Sequence, residues 1–211
     1  MHDVKATVRW ARANAKRYNL DPDRIGVWGA SAGAHLANLM ATTGDVPEFE
    51  GSAGGEALSG HSSAVRCCCD MFGPTHLARL SGVPGDSTKA NGTTAWIIEA
   101  LLGGPVAEKR KLADMGSPEL HVSASTAPHF IVHGDHDNVV ALEQSTTYHA
   151  KLQAAGVEST LTIIPGGGHG TGWGTQGDAD QTEAWAKGDT DYVNPVINER
   201  LGAFFDQHLK A

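Results

Sequence analysis

Apolar and polar positions alternate along this chain in two periods, and the switches between them mark out its elements. Val4, Val8, Ala11, Ala15 and Tyr18 recur at helical spacing, which predicts an amphipathic helix over residues 3 to 18. Asn19-Leu20-Asp21-Pro22-Asp23 ends it, and the short apolar run 25 to 28 predicts a strand. A helix-like stretch, His35 to Met40, comes next, and residues 43 to 63, rich in Gly, Ser and Glu, read as a surface loop. Further strands are expected at 65 to 71, 129 to 132 and 160 to 164, with helices at 94 to 102, 106 to 114, about 141 to 155 and about 195 to 209. Residues 81 to 93 read as a second polar loop. Helices alternate with short apolar strands, so the expected class is α/β, a parallel sheet of about four strands covered by helices on both faces, in one domain spanning 1–211.

Composition narrows the partners. Sixteen basic against 24 acidic residues leave a net charge of −8, and the longest basic cluster is Lys109-Arg110-Lys111, so nucleic acid is not an expected partner. No apolar run is long enough to span a membrane, and Met1-His2-Asp3-Val4-Lys5 lacks the basic-then-apolar pattern of a secretory signal. The expectation is a soluble chain, cytoplasmic by default. Cys67-Cys68-Cys69 are consecutive and cannot form a loop-stapling disulfide framework; buried strand thiols are expected.

The candidate chemistry begins at Gly29-Ala30-Ser31-Ala32-Gly33, set between the first strand and the helix after it. Strand, sharp turn and helix with a serine at the apex describe a nucleophile elbow: the serine needs a strained backbone, and glycines two positions to either side relieve the close passage of strand and helix. His133-Gly134-Asp135-His136-Asp137 closes the third strand, and Pro165-Gly166-Gly167-Gly168-His169-Gly170 closes the fourth. The order Ser, Asp, His at the carboxyl ends of strands suits a Ser-His-acid triad. Ser31 is the candidate nucleophile, His169 the base, and Asp137, Asp135 and Asp70 compete as the acid. The backbone N–H of Ala32, at a helix N-terminus, is the candidate oxyanion donor. His133, Asp135, His136 and Asp137 also crowd together in sequence, but a zinc site typically needs further ligands from other strands, so neither metal nor cofactor is expected.

At residues 21 to 37, at Leu-Leu-Gly-Gly-Pro (101 to 105), at Ser117-Pro118, at 133 to 140 and at Gly-Gly-Gly-His-Gly (166 to 170), the chain resembles the α/β-hydrolase esterases that include feruloyl and acetyl-xylan esterases. It is also similar to the hormone-sensitive-lipase-like and prolyl-oligopeptidase-like branches. The resemblance implies the pattern His-Gly-x-x-Asp-x-Val-Val, matched by His133, Gly134, Asp137, Val139 and Val140, which favours Asp137 as the acid and leaves Asp135 to cap the turn. It implies a cap over residues 75 to 120 beside the acyl pocket, with Trp96, Ile97 and Leu101 as candidate substrate-binding residues beside Trp173, although a core-facing role for the first three is at least as well supported.

The full fold has eight strands with the nucleophile after the fifth. Here one helix precedes Ser31, so the expected form is a truncated hydrolase without the first four strands and without the His-Gly-Gly loop that supplies a second oxyanion donor. Residues 171 to 174 or another subunit are the candidate replacements. The strand before Ser31 would be an edge, from which a homodimer is expected. The implied activity is hydrolysis of short acyl or feruloyl esters, free or linked to polysaccharide, through an acyl-enzyme. The alternatives are a peptidase or dienelactone-type hydrolase with the same triad, and a non-catalytic or assembly-dependent remnant.

Overall fold

The computed structural model describes residues 1 to 44, 46 to 80, 92 to 170 and 195 to 210. Four strands, β1 (Val27–Ala30), β2 (Cys68–Met71), β3 (His129–Gly134) and β4 (Ser159–Ile164), form one parallel sheet in the order β1-β2-β3-β4. This is the four-stranded parallel α/β sheet expected from the alternation of strand and helix patterns. The first strand lies two residues later than the apolar run 25 to 28 suggests, so that it delivers the chain directly to Ser31. Trp28 is 57% exposed at the sheet edge.

The long helices are α1 (His2–Ala13), α3 (Ala32–Thr42), α7 (Gly92–Leu102), α9 (Glu143–Ala154) and α10 (Pro195–Leu209); shorter ones are α2 (Ala15–Tyr18), α4 (Pro47–Glu50), α5 (Glu56–Ser59), α6 (Leu77–Leu80) and α8 (Arg110–Met115). The expected helix over 3 to 18 is thus interrupted at Asn14. Strand side chains alternate between the two faces of the sheet. Cys67, Cys69, Met71, Phe130 and Val132 meet Ile197, Phe204 and Leu201 of α10 on one face. On the other, Cys68 packs with Ala37 and Ala41 of α3, while Ile131 packs with Tyr148 and Leu152 of α9. Both faces are covered, which is why β2 and β3 are buried along their whole length. All three cysteines are buried and free.

The stretch 43 to 63 is not simply a surface loop. It contains the short helices α4 and α5, and buried charge ties it to α1. The ammonium of Lys5, wholly buried, donates to the Thr43 carbonyl, to Glu50 Oε1 at 2.7 Å and to Ser63 Oγ at 3.1 Å. Arg9 pairs with the other oxygen of Glu50. Lys5 and Arg9 are buried while Glu50 is half-buried, and this network holds in place a segment polar in composition. Among the described residues no helix is long and apolar enough to cross a membrane.

Candidate active site

Every candidate catalytic residue stands at the carboxyl end of a strand. Ser31 follows β1 and caps α3 at φ 53°, ψ −121°, a conformation that a residue with a Cβ adopts only when its surroundings impose it. Its N–H donates to the Met71 carbonyl of β2 at 2.9 Å, which anchors the turn to the sheet. A Cβ on Gly29 would lie 2.3 Å from the Gly33 backbone, so the strand and helix do pass as closely as the elbow requires. The same argument does not carry Gly33: a Cβ there meets nothing within 4 Å. The steric need belongs to one glycine of the pair.

The loops after β3 and β4 are joined backbone to backbone. A Cβ on Gly134 would sit 2.1 Å from the Gly167 carbonyl oxygen. The His136 N–H donates to that oxygen at 2.9 Å, and Asp135 Oδ1 accepts the Gly166 N–H at 2.7 Å. Asp135 therefore caps the turn and pairs with His136 at the surface, as the motif suggested. The two loops bring His169 and Asp137 together. Asp137 Oδ2 lies 2.8 Å from His169 Nδ1, and His169 Nε2 lies 2.8 Å from Ser31 Oγ. A carboxylate only accepts, so Nδ1 carries the hydrogen and Nε2 is left to accept the serine proton. The edge of the Phe72 ring packs against the His169 imidazole, with centroids 4.8 Å apart. Phe72 itself sits at φ 48°, a second strained residue beside the first.

Asp137 Oδ1 accepts the N–H groups of Val139 and Val140, each at 2.8 Å, and the carboxylate is buried. Burial alone would favour the neutral acid. Hydrogen bonds from His133 and His169, the charge of His169 and the Val140 N–H outweigh it and hold Asp137 well below the usual carboxylate range. Asp70, the remaining candidate acid, is turned elsewhere: Oδ1 accepts the Gly73 N–H at 2.8 Å and Oδ2 accepts Asn38 Nδ2 at 2.7 Å. Burial pushes its carboxyl up to about 6, against the lowering effects of Asn38, Gly73 and His133.

Ala32 is the first residue of α3 and is exposed, so its N–H stands at the positive end of the helix dipole. Trp96, Ile97 and Leu101 form an outward stripe on α7, 68%, 46% and 61% exposed, while Ile98 and Leu102 take the core-facing side with Leu77, Val106 and Val140. The three are therefore not core residues. Trp173 and residues 171 to 174 lie outside the described residues. His35 Nε2 donates to the Gly116 carbonyl at 2.6 Å, which ties the 75 to 120 segment to the first turn of α3, one helical turn from Ser31.

The BD-FAE family model matches residues 1–152, a span that includes Ser31 and Asp137. The chain belongs to the BD-FAE family. This BD-FAE chain is 33% identical to a solved structure described as a truncated form of a carbohydrate esterase from gut microbiota, covering 88% of this chain and 67% of that one with a TM-score of 0.71. It is 28% identical over 156 residues to the probable carboxylic ester hydrolase LipM of Mycobacterium tuberculosis, covering 72% of this chain and 33% of the relative. It is 26% identical over 178 residues to an acetylxylan esterase of Xylanibacter ruminicola, covering 82% of this chain and 31% of that protein. The chain thus spans about a third of the length of these two curated relatives.

The raised titration of Asp70 has a consequence for stability. An unfolded chain releases the aspartate proton near pH ~4, whereas the native state retains it up to about 6. Across that window the native state binds more protons, so stability falls as pH rises. Thermal unfolding of wild type and Asp70→Asn from about pH 4 to about pH 7 is expected to show the wild type losing ground to the variant through this range. A gap between the two that does not change with pH contradicts the assignment.

Proposed function

We propose that the chain is a serine carboxylic-ester hydrolase in which Ser31 is the nucleophile, His169 the general base and then acid, and Asp137 the residue that orients and stabilises the imidazolium. The observation that carries this reading is the unbroken hydrogen-bond chain from Ser31 Oγ through His169 to the buried Asp137 carboxylate, with the serine held at positive φ. In the first step Ser31 Oγ bonds to the ester carbonyl carbon as its proton passes to His169 Nε2. The carbonyl oxygen takes the negative charge against the Ala32 N–H. Collapse breaks the bond to the alcohol, which leaves with the proton from His169, and water repeats the sequence on the acyl-enzyme.

The names of the relatives support short acyl esters, acetyl above all, on polysaccharide as the substrate class, with feruloyl esters as the alternative acyl group. The domain reading assigns the whole chain to one hydrolase domain with residues 75 to 120 as a cap, whose Trp96, Ile97 and Leu101 face outward for substrate. Ser31→Ala and His169→Ala are each expected to lower turnover of a short-chain nitrophenyl ester by about 10⁴-fold or more, with circular dichroism unchanged, because triad members act as a unit. Asp137→Asn is expected to be nearly as slow and Asp135→Asn to stay within about threefold of wild type. Wild-type turnover by Ser31→Ala contradicts the mechanism, and full activity in Asp137→Asn moves the acid elsewhere.

The same reading includes a homodimer. Among the described residues β1 is an edge: the N–H groups of Val27 and Ser31 donate to the Cys67 and Met71 carbonyls, which turns the main-chain groups of Trp28 away from the sheet, beside its exposed indole. Two such edges satisfy one another across a two-fold axis, and a second copy is also a source for the second oxyanion donor. Light scattering across a size-exclusion peak is expected to give the mass of two chains; the mass of one chain at all concentrations contradicts it.

A further inference from the structure

His133 is the penultimate residue of β3 and is wholly buried. Its Nε2 stands 2.8 Å from the Val140 carbonyl oxygen and 3.2 Å from Asp137 Oδ2. Both neighbours are acceptors, so Nε2 carries the hydrogen; it donates to the Val140 carbonyl, with Asp137 Oδ2 close beside it. Nδ1 stands 2.7 Å from Ser145 Oγ in α9, and in the neutral ring it accepts the serine hydroxyl. With a partner on each nitrogen the ring is fixed in both orientation and tautomer.

The placement of the two Asp137 oxygens gives this ring a task. Oδ1 is pinned by the Val139 and Val140 N–H groups, yet a carboxylate held at one oxygen still pivots about it. Oδ2 is the oxygen that receives His169 Nδ1, and it lies between the two imidazoles. We propose that His133, locked by Ser145, is a positioning residue that stops this pivot and holds Asp137 Oδ2 in line with His169. The proposal rests on the triad reading above. It makes Ser145, His133, Asp137, His169 and Ser31 one continuous path of close polar contacts from the outer helix α9 to the nucleophile. Its Val140 bond closes the same loop from the carbonyl side, so the segment that supplies the donors to Oδ1 is held by the ring that approaches Oδ2.

Three variants separate positioning from mere filling of the core. His133→Phe keeps the volume and removes the donor, His133→Gln places an amide N–H where Nε2 stood, and Ser145→Ala frees the ring at Nδ1. Turnover of a short-chain nitrophenyl ester and the crystal structure of each variant are the two readouts. His133→Phe is expected to lower kcat by about tenfold or more while KM stays within about twofold, because small misplacements of a catalytic group act on the chemical step. In its crystal structure Asp137 Oδ2 is expected to have moved off His169 Nδ1. His133→Gln is expected to retain kcat within about threefold and to keep the contact, with Ser145→Ala intermediate. Wild-type kcat with an unchanged Asp137–His169 contact in His133→Phe overturns the proposal, as does a Gln variant as slow as the Phe variant. Should the Phe variant fail to fold, wild-type kcat and contact in Ser145→Ala overturn it. If the wild type turns over no ester, the functional reading fails, and the crystallographic contact still decides the role of His133.

Discussion

An ionised carboxylate buried at the end of a sheet persists only where donors replace the water it has lost, and Asp137 meets that condition with two backbone N–H groups on one oxygen and imidazoles around the other. Those donors come from three places in the chain: the turn that carries Asp137, the end of β3 and the loop after β4. Satisfying the charge therefore fixes the relative position of the elements that carry it. Stability and geometry have the same origin here, since the bonds that keep Asp137 charged are the bonds that aim it at His169, and His169 in turn at Ser31.

Two close backbone approaches make this convergence sterically feasible. Gly29 lets β1 pass the first turn of α3, and Gly134 lets the acid loop lie against Gly167 of the histidine loop. In each case the atom that a side chain would strike is main chain, which cannot swing aside. The parallel sheet supplies the rest, because strands running in one direction present all their carboxyl ends, and so the turns after β1, β3 and β4, at one side of the molecule.

Much of this was legible in the sequence, for physical reasons that can be named. The four strands and the long helices follow from their periods, and the serine turn announces itself because few residue types tolerate a strained apex between tightly passing elements. The capping role of Asp135 and the buried thiols were also readable. What composition hid was cohesion by charge: residues 43 to 63 look like loop because the attraction holding them comes from Lys5 and Arg9 far back in the chain. The exposure of Trp28 reflects the edge position of its strand and not its own character. Likewise the steric argument for both elbow glycines survives only for Gly29, since a side chain at Gly33 would meet open space. The contacts of Phe72 with His169 and of His133 with Asp137 depend on which strands are adjacent, and that is a property of the assembled sheet.

The central claim is that the bonded chain from Asp137 to Ser31 makes one serine in this protein an activated nucleophile. A fluorophosphonate reagent tests it without assuming a substrate, since it labels a serine only where a neighbouring base takes the proton. The account predicts that incubation of the wild-type chain adds one phosphonyl group, located by peptide mass spectrometry on Ser31, and that His169→Ala abolishes the labelling. Label on a different serine, or undiminished labelling of Ser31 in the absence of His169, would contradict it.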